Sequence, residues 1–281
     1  MSTLTFTALV GLGSLAAGFL GALTGLGGGV VIVPLLVLVF GVDLHYAMGA
    51  SLVSVIATSS GAAASYVKEG YSNIRIGMLL EIATTFGALA GAWLVASGSV
   101  SKDVIAVIFG LALLFSAFLS GRHRKEQPAD DRPDPLARRL RLDASYPTPA
   151  GPQPYHVHGV PVGFGLMFLA GVLSGLLGIG SGAMKVLALD QAMRIPFKVS
   201  TTTSNFMIGV TAAASAGIYL SQGYIDPGLA MPVMLGVLLG SLLGARVLVV
   251  ARTKLLRRVF AAVILVLAVQ MIYKGLSGGK L

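Results

Sequence analysis

Charge and cysteine are what this chain has least of. Of its 281 residues only 11% are Asp, Glu, Lys or Arg, and cysteine is absent. A soluble domain carries roughly a quarter charged residues, so this chain cannot cover an ordinary water-facing surface. Without cysteine, disulfides, thiolate metal sites and thiol catalysis are excluded. The N-terminus, Met1-Ser2-Thr3-Leu4-Thr5, lacks the basic segment that opens a cleaved signal peptide. The first apolar run is therefore read as an uncleaved part of the fold. H-E-x-x-H and G-x-S-x-G motifs are missing too, and the four histidines lie outside the apolar runs. His156-x-His158 has no third ligand nearby. The expectation is a protein that is not an enzyme and uses no metal and no cofactor.

What is present is apolar sequence: 55% of residues are hydrophobic and the mean hydropathy is +0.86. Apolar runs near 4–24, 30–40, 47–67, 75–97 and 103–120 recur near 160–177, 183–193, 200–220, 228–250 and 256–273. Most approach the ~20 residues that a helix needs to cross ~30 Å of hydrocarbon. In lipid the backbone must satisfy its own hydrogen bonds, and helices do so over runs of this length. The expected class is an all-α integral membrane protein.

The chain also repeats itself. Sliding it by 153 residues aligns 17–93 with 170–246 without a gap, and about twenty of the seventy-seven pairs are identical. Gly25-Leu26-Gly27-Gly28-Gly29 then falls on Gly178-Ile179-Gly180-Ser181-Gly182. Agreement of that length indicates two copies of one unit of about five hydrophobic segments. The implied organisation is a first repeat over 1–120, a linker over 121–158 and a second repeat over 159–281.

Four glycines in five residues break a helix rather than pack one. The runs that follow, Val30–Phe40 and Ala183–Met193, span eleven residues, ~16 Å of helix. Each is half a membrane long, so each is expected to begin near the midplane. Two half-helix N-termini meeting there would offer backbone N–H groups to an anion. The alternative is a pair of short crossing helices with Gly-rich turns at the surface. The G-x-x-x-G pairs Gly87/Gly91 and Gly240/Gly244 suit close helix packing and leave room for a homodimer.

The linker is rich in Pro and Arg and is read as extra-membrane and partly disordered, without a core of its own. The net charge of +9 sits mostly in loops. It therefore serves orientation, and no nucleic-acid partner is expected. Fifteen basic residues lie on the linker's side against Lys102, Lys274 and Lys280 on the other. That places the linker in the cytoplasm and both termini outside a multi-pass inner-membrane protein. With five segments per half, the two repeats are inverted.

Ionisable residues inside apolar runs cost ~2.5–3.5 kcal/mol on insertion scales. Lys185 lies three residues after Gly182, opposite Ile32 of the first copy. A cation there adds to the positive end of a helix and is useful if an anion is bound. Glu81, opposite Met234, is a proton-coupling candidate that could also pair with Lys185 or with Arg75. Asp190 is placed to pair with Lys185 or to cap a loop. Ser51, Thr202, Thr203, Ser204 and Asn205 supply hydroxyls and an amide near helix starts. Such groups also bond their own backbone. The expected substrate contacts are Gly27, Gly28, Gly29, Ser51, Gly180, Ser181, Gly182, Lys185, Thr202, Thr203, Ser204 and Asn205.

Gly18-Phe19-Leu20-Gly21 with the glycine stretch after it, Val33-Pro34-Leu35-Leu36 and Ala47-Met48-Gly49-Ala50-Ser51-Leu52 resemble the sulfite exporter TauE/SafE family. Thr202-Thr203-Ser204 in the second half is similar to that family as well. The resemblance spans nearly the whole chain apart from the linker. It implies a secondary transporter of small anions, commonly sulfite, sulfoacetate, sulfonates and other organosulfur compounds. The expectation is movement across the cytoplasmic membrane by alternating access, with H+, Na+ or the membrane potential alone as the driving force. Ser181 and Ala183 stand where the first copy has Gly28 and Val30, which suits one anion held off-centre. An anion channel and a non-transporting membrane scaffold are the other readings; a scaffold leaves Lys185 unexplained.

Overall fold

The computed structural model describes residues 3–24, 29–68, 70–121, 134–148, 151–250 and 253–277. Gly25 to Gly28, and so the expected contacts Gly27 and Gly28, lie outside the described residues, as do 122–133 of the linker, Arg252 and Lys280. The first half runs through α1 (Thr3–Thr24), α2 (Gly29–Leu38), α3 (Leu44–Lys68), α4 (Ile74–Ala96) and α5 (Lys102–Gly121). Then come α6 (Pro135–Arg139) and a hairpin of β1 (Ala144–Thr148) and β2 (Gly151–Tyr155). The second half holds α7 (Val160–Leu177), α8 (Gly182–Leu187), α9 (Phe197–Ser221), α10 (Pro227–Val250) and α11 (Thr253–Leu276).

Among the described residues α4 and α7 are each long and apolar enough to cross a membrane. On α4, Met78, Ile82, Phe86, Leu89 and Trp93 form an exposed apolar stripe at helical spacing. The opposite face, with Thr84, Gly87, Ala88 and Gly91, is buried. That inversion of the soluble pattern is what a lipid-facing helix requires.

The packing follows the repeat. α1 lies along α10 as α7 lies along α4; α3 and α9 cross each other; α5 pairs with α11. Exchanging the halves maps these neighbours onto themselves, down to single atoms. A Cβ added at Gly18 would sit 2.3 Å from the carbonyl O of Val237, and one at Gly171 2.2 Å from that of Thr84. Gly87 meets Phe168 O at 2.2 Å as Gly240 meets Leu15 O at 2.0 Å. Only glycine permits such backbone approach. Gly87, Gly91 and Gly240 are thus occupied within the chain. The ends match too: the His45 ring stacks on Tyr224 with centroids 4.6 Å apart, and Lys198 Nζ lies 4.0 Å from the Tyr71 ring centroid.

Part of the linker has regular structure. Its described part is ordered into α6 and the hairpin, and it contributes Ala137, Leu142, Tyr155 and Val157 to a buried cluster with Ile76, Leu80, Met193 and Val199. Asp134 caps α6 by accepting from Leu136 N (2.9 Å) and also accepts from Gly159 N (2.9 Å). Asp143 accepts from Val157 N at 2.9 Å, and its other oxygen lies 3.2 Å from His156 Nδ1. Four scattered apolar residues suffice because they borrow the core of α4, α7 and α9. Burial pushes the Tyr155 hydroxyl up to about 12.

Candidate functional site

The second glycine stretch is a true break in the helix. α7 stops at Leu177, and Gly178, Gly180 and Ser181 take φ values of 65°, 73° and 47°. Three left-handed residues in four cannot continue a right-handed helix. At Gly180 a Cβ would meet Ile208 Cγ2 at 2.7 Å and Val55 Cγ1 at 3.2 Å, so the break is wedged between α3 and α9. The first residue of α2 lies beside it: a Cβ on Gly29 would be 2.9 Å from Ser51 Oγ and 3.5 Å from Ile179 Cα.

Each short helix is tied to its neighbouring long helix by one serine. Ser51 Oγ donates to Gly29 O at 3.5 Å, and Ser204 Oγ donates to Gly182 O at 3.3 Å. These are the same positions of the repeat. Thr202 and Thr203 do other work. Thr202 Oγ1 donates to Tyr71 O (2.9 Å) and Thr203 Oγ1 accepts from Asn73 N (3.0 Å), which fixes α9 to the turn before α4. Asn73 in turn donates to Leu142 O and Tyr155 of the linker. Asn205 is half-buried on α9. The Ser181 hydroxyl is buried with no hydrogen-bond partner among the described residues.

The run after the break is not one short α-helix. α8 is six residues long and gives way to a π-helical turn over Ala188–Ala192, closed by Met193 N donating to Ala188 O at 3.1 Å. Such turns are rare and concentrate at functional sites. A six-residue helix has little macrodipole, so positive charge here comes from Lys185.

Lys185 is fully buried, with 0% of its surface exposed. Its side chain turns toward α9, where Nζ donates to Met207 O at 3.2 Å and to Thr211 Oγ1. Thr211 Oγ1 lies 2.7 Å from Glu81 Oε1 on α4, and 2.8 Å from Met207 O as the other acceptor for its proton. Thr85 Oγ1 donates to the same carboxylate oxygen at 3.3 Å. Glu81 is 7% exposed, and its second oxygen, Oε2, is buried without a hydrogen-bond partner among the described residues.

Two expectations change here. Glu81 does not pair with Arg75, whose Nη1 donates to Arg141 O at 3.3 Å near the linker. Lys185 does not pair with Asp190, which accepts from Gln191 Nε2 at 3.1 Å. Burial decides both cases, because an ammonium and a carboxylate held out of water need each other more than surface partners do. The sequence reading missed the bridge, Thr211. Its signal lies in the spacing Ser204, Thr211, Ser215, which puts three hydroxyls on one buried face of α9.

A membrane-embedded lysine, a hydroxyl bridge and a carboxylate beside two glycine-bounded short helices suit ion movement. They form no nucleophile–base pair, and no group of three acidic or histidine ligands occurs among the described residues. The family profile described as sulfite exporter TauE/SafE matches residues 10–271. The chain belongs to the sulfite exporter TauE/SafE family. Membership places it in a membrane and among transporters rather than enzymes. It is similar to the probable membrane transporter protein YunE of Bacillus subtilis, with 28% identity over 97% of this chain and 99% of that protein. A probable membrane transporter protein of Xylella fastidiosa is 26% identical over 94% of each chain. MJ0441 of Methanocaldococcus jannaschii, also a probable membrane transporter protein, is 25% identical over 82% of each. No solved structure matches.

Proposed function

We propose that this TauE/SafE protein is a secondary transporter that moves sulfite, sulfoacetate or another organosulfonate across the cytoplasmic membrane. The observation that carries the reading is the fully buried Lys185 beside the adjoining glycine stretches. An ionisable group buried within a membrane is costly and marks a path for ions or substrate. The anion would lie against Lys185, the 178–182 break and Gly29, with the free hydroxyl of Ser181 as a further donor. The two repeats are read as inverted, with the linker cytoplasmic and both termini outside. Rocking of one half against the other about the α3–α9 crossing gives alternating access. Glu81 is the residue through which an ion gradient acts.

The test is thermal stabilisation of the purified protein by sulfite, methanesulfonate, isethionate and sulfoacetate, with chloride as control. A ligand that binds only the folded state at a hundred times its Kd adds about 2.7 kcal/mol. The expected outcome is a rise in Tm with at least one sulfur oxyanion, abolished in a folded Lys185→Ala protein. No shift with any of the four anions refutes the reading.

A further inference from the structure

We infer that the substrate anion and one proton bind together, the proton on Glu81, so that this transporter is a proton–anion symporter. The inference rests on the transport reading above and adds the identity of the coupling ion, its stoichiometry and its direction. Its basis is the arrangement of Lys185, Thr211 and Glu81.

Among the described residues, the site holds one buried cation and one buried anion, bridged by a single hydroxyl. Together they are neutral, which is the condition for keeping charges out of water. An arriving monovalent anion would leave the site with one uncompensated negative charge. The remedy nearest to hand is protonation of the carboxylate. Among the described residues Glu81 Oε2 is buried and has no hydrogen-bond partner, which makes it the open position for a proton.

Thr211 makes the two events one. Its hydroxyl has a single proton and two acceptors, Glu81 Oε1 at 2.7 Å and Met207 O at 2.8 Å. While Glu81 is ionised, the hydroxyl points at the carboxylate and holds Lys185 through its own oxygen. Once a proton from water sits on Glu81, the hydroxyl is released to Met207 O and the ammonium is free to take the anion as partner. The reverse order returns both to water on the other side. The helices packed most closely on α4 are α7 and α9. α7 carries no titratable group. On α9, Lys198 is engaged with the Tyr71 ring and Tyr219 donates to Gly175 O, whereas Arg75 and Tyr155 bond within the linker contact. Lys185 is the charge that faces Glu81.

The experiment measures anion affinity against pH for the full chain in detergent, in sodium-free choline buffer. The probe is methanesulfonate, which stays ionised throughout; where sulfite alone binds, it is used with its own protonation subtracted. One proton taken up per anion makes Kd rise tenfold for each pH unit, and an indicator dye reads one proton absorbed per anion bound. Glu81→Gln flattens that slope to zero. A Kd independent of pH in the unaltered protein, with no proton absorbed, overturns the symport inference and leaves the transport reading standing. So does an affinity that depends on sodium instead. Absence of binding by every anion overturns the transport reading, and this inference with it. The slope is read on the unaltered chain, so a variant that fails to fold does not decide the outcome.

Discussion

Replacing Lys185 by Met removes a buried cation and leaves Glu81 as a carboxylate with no charge to face. Lys185 is 0% exposed and Glu81 7%, so neither side chain can turn to water without moving a helix. Removing one partner of such a pair costs about 3–5 kcal/mol, while exchanging both for groups of similar volume is often nearly neutral. Lys185→Met and Glu81→Gln should therefore each be strongly destabilising, and the double variant should recover most of the loss. The expected coupling energy is at least about 2 kcal/mol, well above the ~0.3–0.5 kcal/mol scatter of independent sites. Thr211→Val keeps the volume and removes only the bridge. It should cost about 1–3 kcal/mol through the unsatisfied groups on either side. The assay is thermal or denaturant unfolding in one detergent, with the unaltered protein and the four variants run side by side. If the double variant loses the sum of the single losses, the two charges do not interact, and the neutral-site argument fails.

Two further predictions concern the scaffold. Gly171→Ala puts a methyl 2.2 Å from the carbonyl of Thr84, whereas Gly217→Ala meets nothing within 4 Å. The first should destabilise by about 1–3 kcal/mol and the second should stabilise by up to about 1 kcal/mol; unfolding curves with the same sign would refute the glycine-contact account. Asp43, in the loop between α2 and α3, loses solvation on burial, but hydrogen bonds from Lys102 and from the backbone of His45 hold its carboxyl below the ordinary value of 3.8. Its contribution is therefore complete above that value and is lost as pH falls through the lower folded-state value. The group is partly exposed, so the gap in stability between the unaltered protein and Asp43→Asn should be no more than about 1 kcal/mol. The gap should be constant above about pH 5 and close below pH 3.8.

Much of the architecture was legible because lipid leaves few choices. Apolar run length marks the helices, and 153-residue self-similarity marks which helices must occupy equivalent places. The glycines that mattered, Gly18, Gly87, Gly171 and Gly240, were visible as pairs before any contact was known. The linker hairpin was not legible. Its strands are five residues each, Pro147 pairs with Pro152, and its few apolar side chains are buried only because another part of the chain covers them. Composition reports on a segment alone, and this segment has no core alone. The π-helical turn after α8 left no mark for the same reason, since Ala188 to Ala192 are compatible with an ordinary helix. Lys185 stood out as a charge in an apolar run; the place where its ammonium ends depends on how α8 leans on α9, which is a tertiary fact.

The repeat also says where to look for function. Contacts that set helix distances recur at equivalent positions: Gly18 and Gly171 each approach a backbone carbonyl of the other half, and Ser51 repeats Ser204 in tying a short helix to a long one. Thr58 and Thr211 are identical too, yet their surroundings differ. Thr58 Oγ1 donates back to Ser54 O at 3.0 Å as Thr211 Oγ1 does to Met207 O at 2.8 Å, but Ile32 and Met234 stand where the second site has Lys185 and Glu81. Packing cannot account for that divergence, since a lysine and a glutamate cost more to bury than the isoleucine and methionine at the matching places. The two halves repeat each other in packing, and the charges stand at one of the two equivalent places only, Lys185 from the second half and Glu81 from the first. The place where the repeats diverge is therefore where a test of coupling belongs.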